Sequence, residues 1–171
     1  MVVRSVILTL MLTMLTTQFT VTAQSFHTRS NRALKYYDQG KRDYELLYYD
    51  RAESNLRLAV REDSRFYEAH ILLGQLYTDT GDWERSVTHY LSAVKIDSLF
   101  FPPALFSLGR AELRTGRYFQ ALNHLEAYLK QPGVSPKLRG ETERMITNCR
   151  FALTFSASLF EREPVSAGDS V

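Results

Sequence analysis

The sequence predicts an all-α fold: an α-solenoid of about three helix-turn-helix repeats with a C-terminal capping helix. Gly40, Gly74 and Gly109 recur at steps of 34 and 35 residues. Three further residue classes keep step with them. These are the aromatics Tyr49, Trp83 and Tyr118, the small residues Ala52, Ser86 and Ala121, and the large apolar residues Leu56, Tyr90 and Leu125. A shared period of this length, built from small and aromatic residues, marks a stacked array of helix pairs. Such arrays offer an extended surface rather than a catalytic pocket.

In chain order, residues 1–23 carry one charge, Arg4, ahead of an apolar run from Val6 to Leu15. Val21, Thr22 and Ala23 then suit a signal-peptidase site. The pattern predicts a secretory signal peptide, because the apolar run is far shorter than the ~20 residues that span a bilayer. The protein is therefore expected to be exported, to the periplasm or the outer membrane. Residues 24–31, including His27, lead into the repeat domain with no structure of their own. The repeat domain and its capping helix are expected over 32–160, and a flexible polar tail over 161–171.

The first repeat opens with a helix from Arg32 to about Leu46, with Gly40 at the position of closest approach. Its second helix starts near Tyr49 and places Ala52, Leu56 and Ala59 on one face. In the second repeat, Ile71, Leu72, Gly74, Leu76 and Tyr77 belong to the first helix. Thr80-Gly81 stops it, since glycine after the last turn is a common helix end. Asp82 caps the next helix, whose buried stripe is Trp83, Val87, Tyr90, Leu91 and Val94. Pro102 and Pro103 open the third repeat, proline being suited to a first helical turn. Phe101 is the extra linker residue behind the longer step. Thr115-Gly116 repeats the break, and Tyr118, Ala121, Leu122, Leu125 and Leu129 form the last paired helix. Ser135 as cap and Pro136 at the first position start the terminal helix, with Leu138, Met145, Cys149 and Ala152 at helical spacing. That helix covers the apolar face of the last repeat, as arrays require.

The 171 residues suit one domain, and 44% hydrophobic with 23% charged residues is ordinary for a folded chain. A net charge of +2 argues against a nucleic-acid partner, which needs a basic face. Cleavage after Ala23 would remove Arg4 and leave 20 basic against 19 acidic residues, from 21 and 19 in the full chain. Cys149 is the single cysteine, so no internal disulfide is available.

The pattern resembles the tetratricopeptide repeat family. Gly74, Tyr77, Gly81, Asp82, Trp83, Ser86, Tyr90 and Ala93 carry the likeness in the second repeat. Gly109, Gly116, Tyr118, Ala121 and Leu125 carry it in the third. It covers about Ala33 to Lys130. There are departures: Leu47 stands where a glycine precedes the second helix, Tyr128 where an alanine is usual, and Ser64 and Ser98 where proline ends a repeat. The first and third repeats are therefore expected to bend or pack atypically. Leu129-Lys130-Gln131-Pro132-Gly133 and Asn148-Cys149-Arg150-Phe151-Ala152, with the Phe100-Phe101-Pro102 linker, carry a narrower likeness. They resemble the N-terminal repeat segment of Gram-negative envelope proteins that continue into a β-propeller and an OmpA-like peptidoglycan-binding domain. Some of those are tied to type IX secretion or gliding. That likeness implies an alternative role as the N-terminal module of an envelope-anchoring protein.

The family likeness implies that the first helices line a concave groove. Its residues would be Tyr37, Lys41, Tyr44, Ile71, Gln75, Thr78, Asp79, Phe106, Arg110 and Arg114. Aromatic and polar residues in this mix suit an extended peptide or a helix. Arg110 and Arg114, one turn apart, either receive an acidic segment or are simply solvated. The two-asparagine, lysine-rich clamp for chaperone C-termini is missing. The expected role is a non-enzymatic scaffold for a protein or peptide partner, with no cofactor.

Signals of catalysis are weak. There is no phosphate-binding glycine loop, nucleophile elbow or zinc helix motif. His89 and His124 occupy equivalent positions 35 residues apart. Repeats stack at roughly 8–10 Å, whereas zinc ligands lie within about 2.1 Å of the metal, so equivalent positions at the surface or groove edge are expected rather than a metal pair. His70 and Cys149 are expected to be packed.

Overall fold

The computed structural model describes residues 26–160. The signal peptide expected over 1–23 and the tail expected over 161–171 lie outside the described residues. Seven helices follow one another: α1 (Asn31–Glu45), α2 (Tyr49–Glu62), α3 (Tyr67–Asp79), α4 (Trp83–Ile96), α5 (Pro103–Arg114), α6 (Tyr118–Leu129) and α7 (Pro136–Phe160), with no strand among the described residues. Each helix packs on the next. In addition α1 touches α3, and α7 reaches past α6 to α5. The first helices thus form one row and the second helices another. The terminal helix α7 takes the place that the first helix of a further repeat would hold. This is the α-solenoid that the period predicts.

The predicted side-chain classes meet across each helix pair. Gly40 faces Leu56, Gly74 faces Tyr90 and Gly109 faces Leu125, so every glycine admits the large apolar residue of its own repeat. Ala52, Leu56, Leu73, Leu76 and Tyr77 form one buried cluster, and Val87, Tyr90, Leu108 and Ala111 another. At the C-terminal end, Met145, Ile146 and Cys149 of α7 join Leu105, Phe106, Ala121, Leu125 and Tyr128. The capping role of α7 rests on that contact. Tyr128 is buried with its ring 5.5 Å from Phe106, so the bulk at an alanine position fills the seam instead of distorting it. Cys149 is fully buried, and desolvation pushes its thiol pKa up.

The helix ends explain Leu47. After α1, the Leu47 N–H bonds the Tyr44 carbonyl (2.9 Å) and the Tyr48 N–H bonds the Asp43 carbonyl (2.8 Å). After α5, Gly116 and Arg117 make the same two bonds to Leu113 and Glu112. This double bond pattern puts the residue past the cap in the left-handed region. Leu47 sits there at φ +62°, beside +80° for Gly81 and +74° for Gly116. The first repeat therefore closes as the others do, against the expectation from its missing glycine. The cost is Cβ strain of about 1–2 kcal/mol. Leu47 is 68% exposed and loses little packing on truncation. Leu47→Gly should stabilise the protein by about 0.5–1 kcal/mol, the strain relieved less the extra freedom of glycine when unfolded. A rise in thermal midpoint checks this, and a fall would show that the leucine makes a contact worth more than its strain.

The segment before α1 is anchored, contrary to the sequence expectation. Phe26 packs edge-on to Tyr37 (5.7 Å) and Phe66 (6.0 Å). The His27 backbone N–H reaches the Glu68 carboxylate (3.3 Å), and its ring lies against Tyr67 and Phe100. His27 Nδ1 is 3.0 Å from Glu68 and Nε2 is 3.6 Å from Asp97. The Thr28 hydroxyl donates to Asp63 (2.5 Å). Asp63 and Asp97 are equivalent by repeat. Each also accepts from backbone N–H groups of its inter-repeat turn, Asp63 from Arg65 and Asp97 from Leu99 and Phe100. These aspartates order the turns where the family's proline is absent.

Candidate functional site

The predicted groove residues stand on the row formed by α1, α3 and α5. Helical spacing puts Tyr37, Lys41 and Tyr44 on one stripe of α1, with Ile71, Gln75 and Asp79 on α3 and Phe106, Arg110 and Arg114 on α5. The structure joins several of them. The Tyr44 hydroxyl donates to Asp79 Oδ2 (2.5 Å), Gln75 Nε2 donates to Asp79 Oδ1 (2.8 Å), and the Tyr90 hydroxyl donates to Gln75 Oε1 (3.2 Å). This chain ties α1, α3 and α4 together and fixes the aromatic ring of Tyr44. Burial first, and then the bond to Asp79, pushes the Tyr44 pKa upward, so the hydroxyl stays a donor.

Other members play different parts. Tyr37 is half-buried under Phe26 and Phe66. Lys41 is exposed, 4.0 Å from Glu45. Thr78 turns into the α3–α4 seam, where its hydroxyl meets the Gly74 carbonyl (2.9 Å) and Ser86 Oγ (2.8 Å). Phe106 is 7% exposed and forms floor rather than wall. Arg110 lies over the Phe106 ring (5.7 Å), and Arg114 over the Trp83 ring (5.4 Å). The row is therefore mixed in chemistry, polar and aromatic towards α1 and cationic at α5.

The equivalent histidines take part in a repeated pair inside each repeat. Three residues past each glycine stand Asp43, Tyr77 and Glu112, all 2% exposed. Facing them from the second helix are Asn55, His89 and His124. Asn55 Nδ2 donates to Asp43 Oδ2 (3.0 Å), the His89 ring stacks on Tyr77 (5.5 Å), and His124 Nδ1 is 2.7 Å from Glu112 Oε2. His89 and His124 are thus helix-pairing positions rather than groove-edge ones. The sequence signal for this is the shared register of Asp43, Tyr77 and Glu112, three residues past Gly40, Gly74 and Gly109. Among the described residues no group of three or more His, Cys, Asp or Glu is placed to hold a metal ion.

His89 also meets His70, with 3.1 Å between their Nδ1 atoms. His70 Nε2 lies 3.2 Å from the Ser64 carbonyl, which can only accept, so Nε2 carries the proton. Nδ1 of His70 is then an acceptor, and His89 Nδ1–H donates to it. Burial lowers the pKa of both rings.

These features define a class: a helical-repeat solenoid that presents a mixed polar and aromatic row of first helices. Residues 32–99 match the family model described as Tetratricopeptide repeat. A comparison with curated proteins returns no match. Among solved structures, the Yersinia enterocolitica type III secretion chaperone SycD in complex with a peptide of the translocator YopD is similar. Its TM-score is 0.61 at 16% identity, over 71% of this chain and 95% of that one. The first TPR of Spaghetti (RPAP3) bound to an HSP90 peptide gives 0.62 at 16% identity, over 75% and 98%. The TPR2B domain of yeast Sti1, complexed with pHsp70, gives 0.59 at 14% identity, over 71% and 98%. At these identities the likeness is one of fold. The chain has the tetratricopeptide-repeat fold. The comparisons lend no support to the narrower likeness to envelope proteins.

Proposed function

We propose that this protein is a non-enzymatic scaffold that binds a peptide segment of a protein partner along the row of α1, α3 and α5. The carrying observation is the line of Lys41, Tyr44, Gln75, Asp79, Arg110 and Arg114 on one face, with the Tyr44–Asp79–Gln75 chain holding its centre rigid. Rigid aromatic anchors among polar side chains lower the ordering cost of binding an extended segment. The similar structures of SycD, RPAP3 and Sti1, each described with a peptide or partner bound, support the reading by analogy of fold.

Selection of a displayed random peptide library on residues 24–171 tests it. Enriched peptides should bind the purified chain and lose affinity on Lys41→Ala, Tyr44→Ala and Arg114→Ala, with unchanged helical circular dichroism. A library that yields no enriched sequence, or peptides indifferent to all three changes, sinks the groove assignment. We further place the scaffold at the cell envelope, on the apolar run Val6–Leu15 and the residues at 21–23. Recovery of the full chain in the cytosol, uncleaved, would remove that part. The alternative role is an N-terminal module of a peptidoglycan-linked, envelope-anchoring protein tied to type IX secretion or gliding machinery. It rests on the linker motifs alone.

A further inference from the structure

Where the row of first helices ends, an open cleft of about 550 Å³ lies between α5 and α7, with Arg110, Leu113, Arg114, Tyr118, Glu141 and Met145 in its lining. Its lining is mixed: Leu113, Met145 and Ala152 are apolar, Glu141 and Asn148 polar, and Arg110 and Arg114 supply the positive charge. These arginines differ from the others that lie on aromatic rings. Arg51 lies over Tyr48 but also pairs with Asp43 at 3.2 Å. Arg85 lies over Tyr77 and pairs with Glu53 at 3.1 Å and Asp82 at 2.6 Å. Arg110 and Arg114 lie over Phe106 and Trp83 and make no ion pair among the described residues, although Arg114 also lines a neighbouring cleft with Asp82 and Glu84. The Arg110 Nε is shielded from solvent and has no acceptor. A ring beneath a guanidinium fixes its plane and leaves its N–H edge directed sideways, the arrangement that matches a carboxylate fork.

Resting on the groove reading above, we infer that the cleft between α5 and α7 is the end-anchor of the bound segment. It takes an acidic peptide in which one carboxylate side chain stands next to a leucine, methionine or aromatic residue. The carboxylate would meet Arg110 and Arg114, and the apolar neighbour would lie on Leu113, Tyr118 and Met145. Glu141 limits the site. It faces the same cleft, so a run of several acids would meet like charge there, and a single carboxylate flanked by apolar residues is the better fit. The expectation is specific to the junction with the terminal helix, since α7 supplies the second wall.

The test uses residues 24–171 and fluorescent synthetic peptides of three series: a leucine or phenylalanine beside one glutamate, the same with glutamine, and the same with lysine. Glutamate peptides should bind at least about tenfold more tightly than glutamine peptides, the worth of one charge-assisted hydrogen bond. Added salt should narrow that gap, because part of it is Coulombic. R110Q with R114Q should erase the preference, E141Q should strengthen glutamate binding, and R42Q, an exposed arginine of α1, should leave it unchanged. Melting curves of each variant identify any that fail to fold, and E141Q alone, which leaves both arginines in place, keeps the test decisive. Equal binding of glutamate and glutamine peptides overturns the anchor, as does a preference that survives R110Q with R114Q. If peptides bind without charge preference yet respond to Tyr44→Ala, the groove reading stands and only the acidic anchor fails. If no series binds, the anchor falls, and the library selection decides the groove reading separately.

Discussion

Valine in place of Gly109 is expected to cost the protein about 3 kcal/mol, at the upper end of ordinary overpacking. A Cβ there would stand 2.6 Å from Leu125 Cγ and 2.8 Å from Cδ2, with the Ala121 carbonyl oxygen at 3.3 Å. Leu125 is fully buried and Cγ is the branch point of its side chain, so it cannot swing clear. The backbone oxygen is equally fixed. Relief would require α5 and α6 to separate, which opens the cluster of Phe106, Tyr128 and Met145. Valine's better helix propensity returns only a few tenths of a kcal/mol. Gly140 supplies the contrast, since a Cβ there has open space around it within α7. Gly140→Ala should therefore stabilise by up to about 1 kcal/mol. Urea unfolding reads both. Combining Gly109→Val with Leu125→Ala should recover part of the loss, with a coupling of about 1 kcal/mol or more, because the two side chains compete for one space. Strict additivity would mean that the glycine does not mark the helix crossing.

The pairing behind that result was legible in the sequence because both partners share one period. Gly40, Gly74 and Gly109 step with Leu56, Tyr90 and Leu125, and residues that repeat together contact together. The stripe of Lys41, Tyr44, Gln75 and Arg110 came from the family likeness rather than from the period; helical spacing only places each set on one side of its helix. Leu47 misled because residue type alone favours glycine at a left-handed position. The two backbone bonds to Tyr44 and Asp43 decide the conformation, and no side-chain pattern reports them. The anchoring of His27 was invisible because Glu68, Asp97 and Phe100 are far away in sequence and outside any repeat relation to it. Thr78 shows a finer limit. Its position on the helix was readable, yet a hydroxyl within reach of Ser86 turns the side chain into the seam. The cleft between α5 and α7 was unreadable for a different reason: α7 does not follow the 34-residue period, so nothing in the register relates Met145 or Glu141 to Arg110.

Acid should destabilise the protein through His89 between about pH 6.5 and pH 4. In the folded chain its pKa is lowered from 6.5 to about 4, first by burial, then by His70, Arg57 and Arg85, against an opposing pull from Glu53. In the unfolded chain the ring titrates near 6.5. Below that pH the unfolded state binds the proton more readily than the folded state, so stability is complete above 6.5 and falls as pH drops through the window. His70 adds in the same direction, its pKa also lowered by burial. A proton added to His89 goes to Nε2 and leaves the Nδ1–H bond to His70 in place, so its cost is a charge taken out of water; protonating both rings would set N–H against N–H across the 3.1 Å contact. Since the His89 ring is not fully enclosed, the loss from this residue is about 2 kcal/mol rather than the larger value of an unscreened shift. Asparagine is the informative replacement, because Asn55 holds the same position in the first repeat. Its amide can donate to His70 Nδ1 and has no proton to gain. Stability of His89→Asn measured by urea unfolding should fall less steeply than wild type from pH 7 to pH 4, with carboxylate titrations common to both chains cancelling in the difference. Parallel profiles would mean that the folded protein admits the charged His89 ring as readily as the unfolded chain does, and that burial does not hold it neutral.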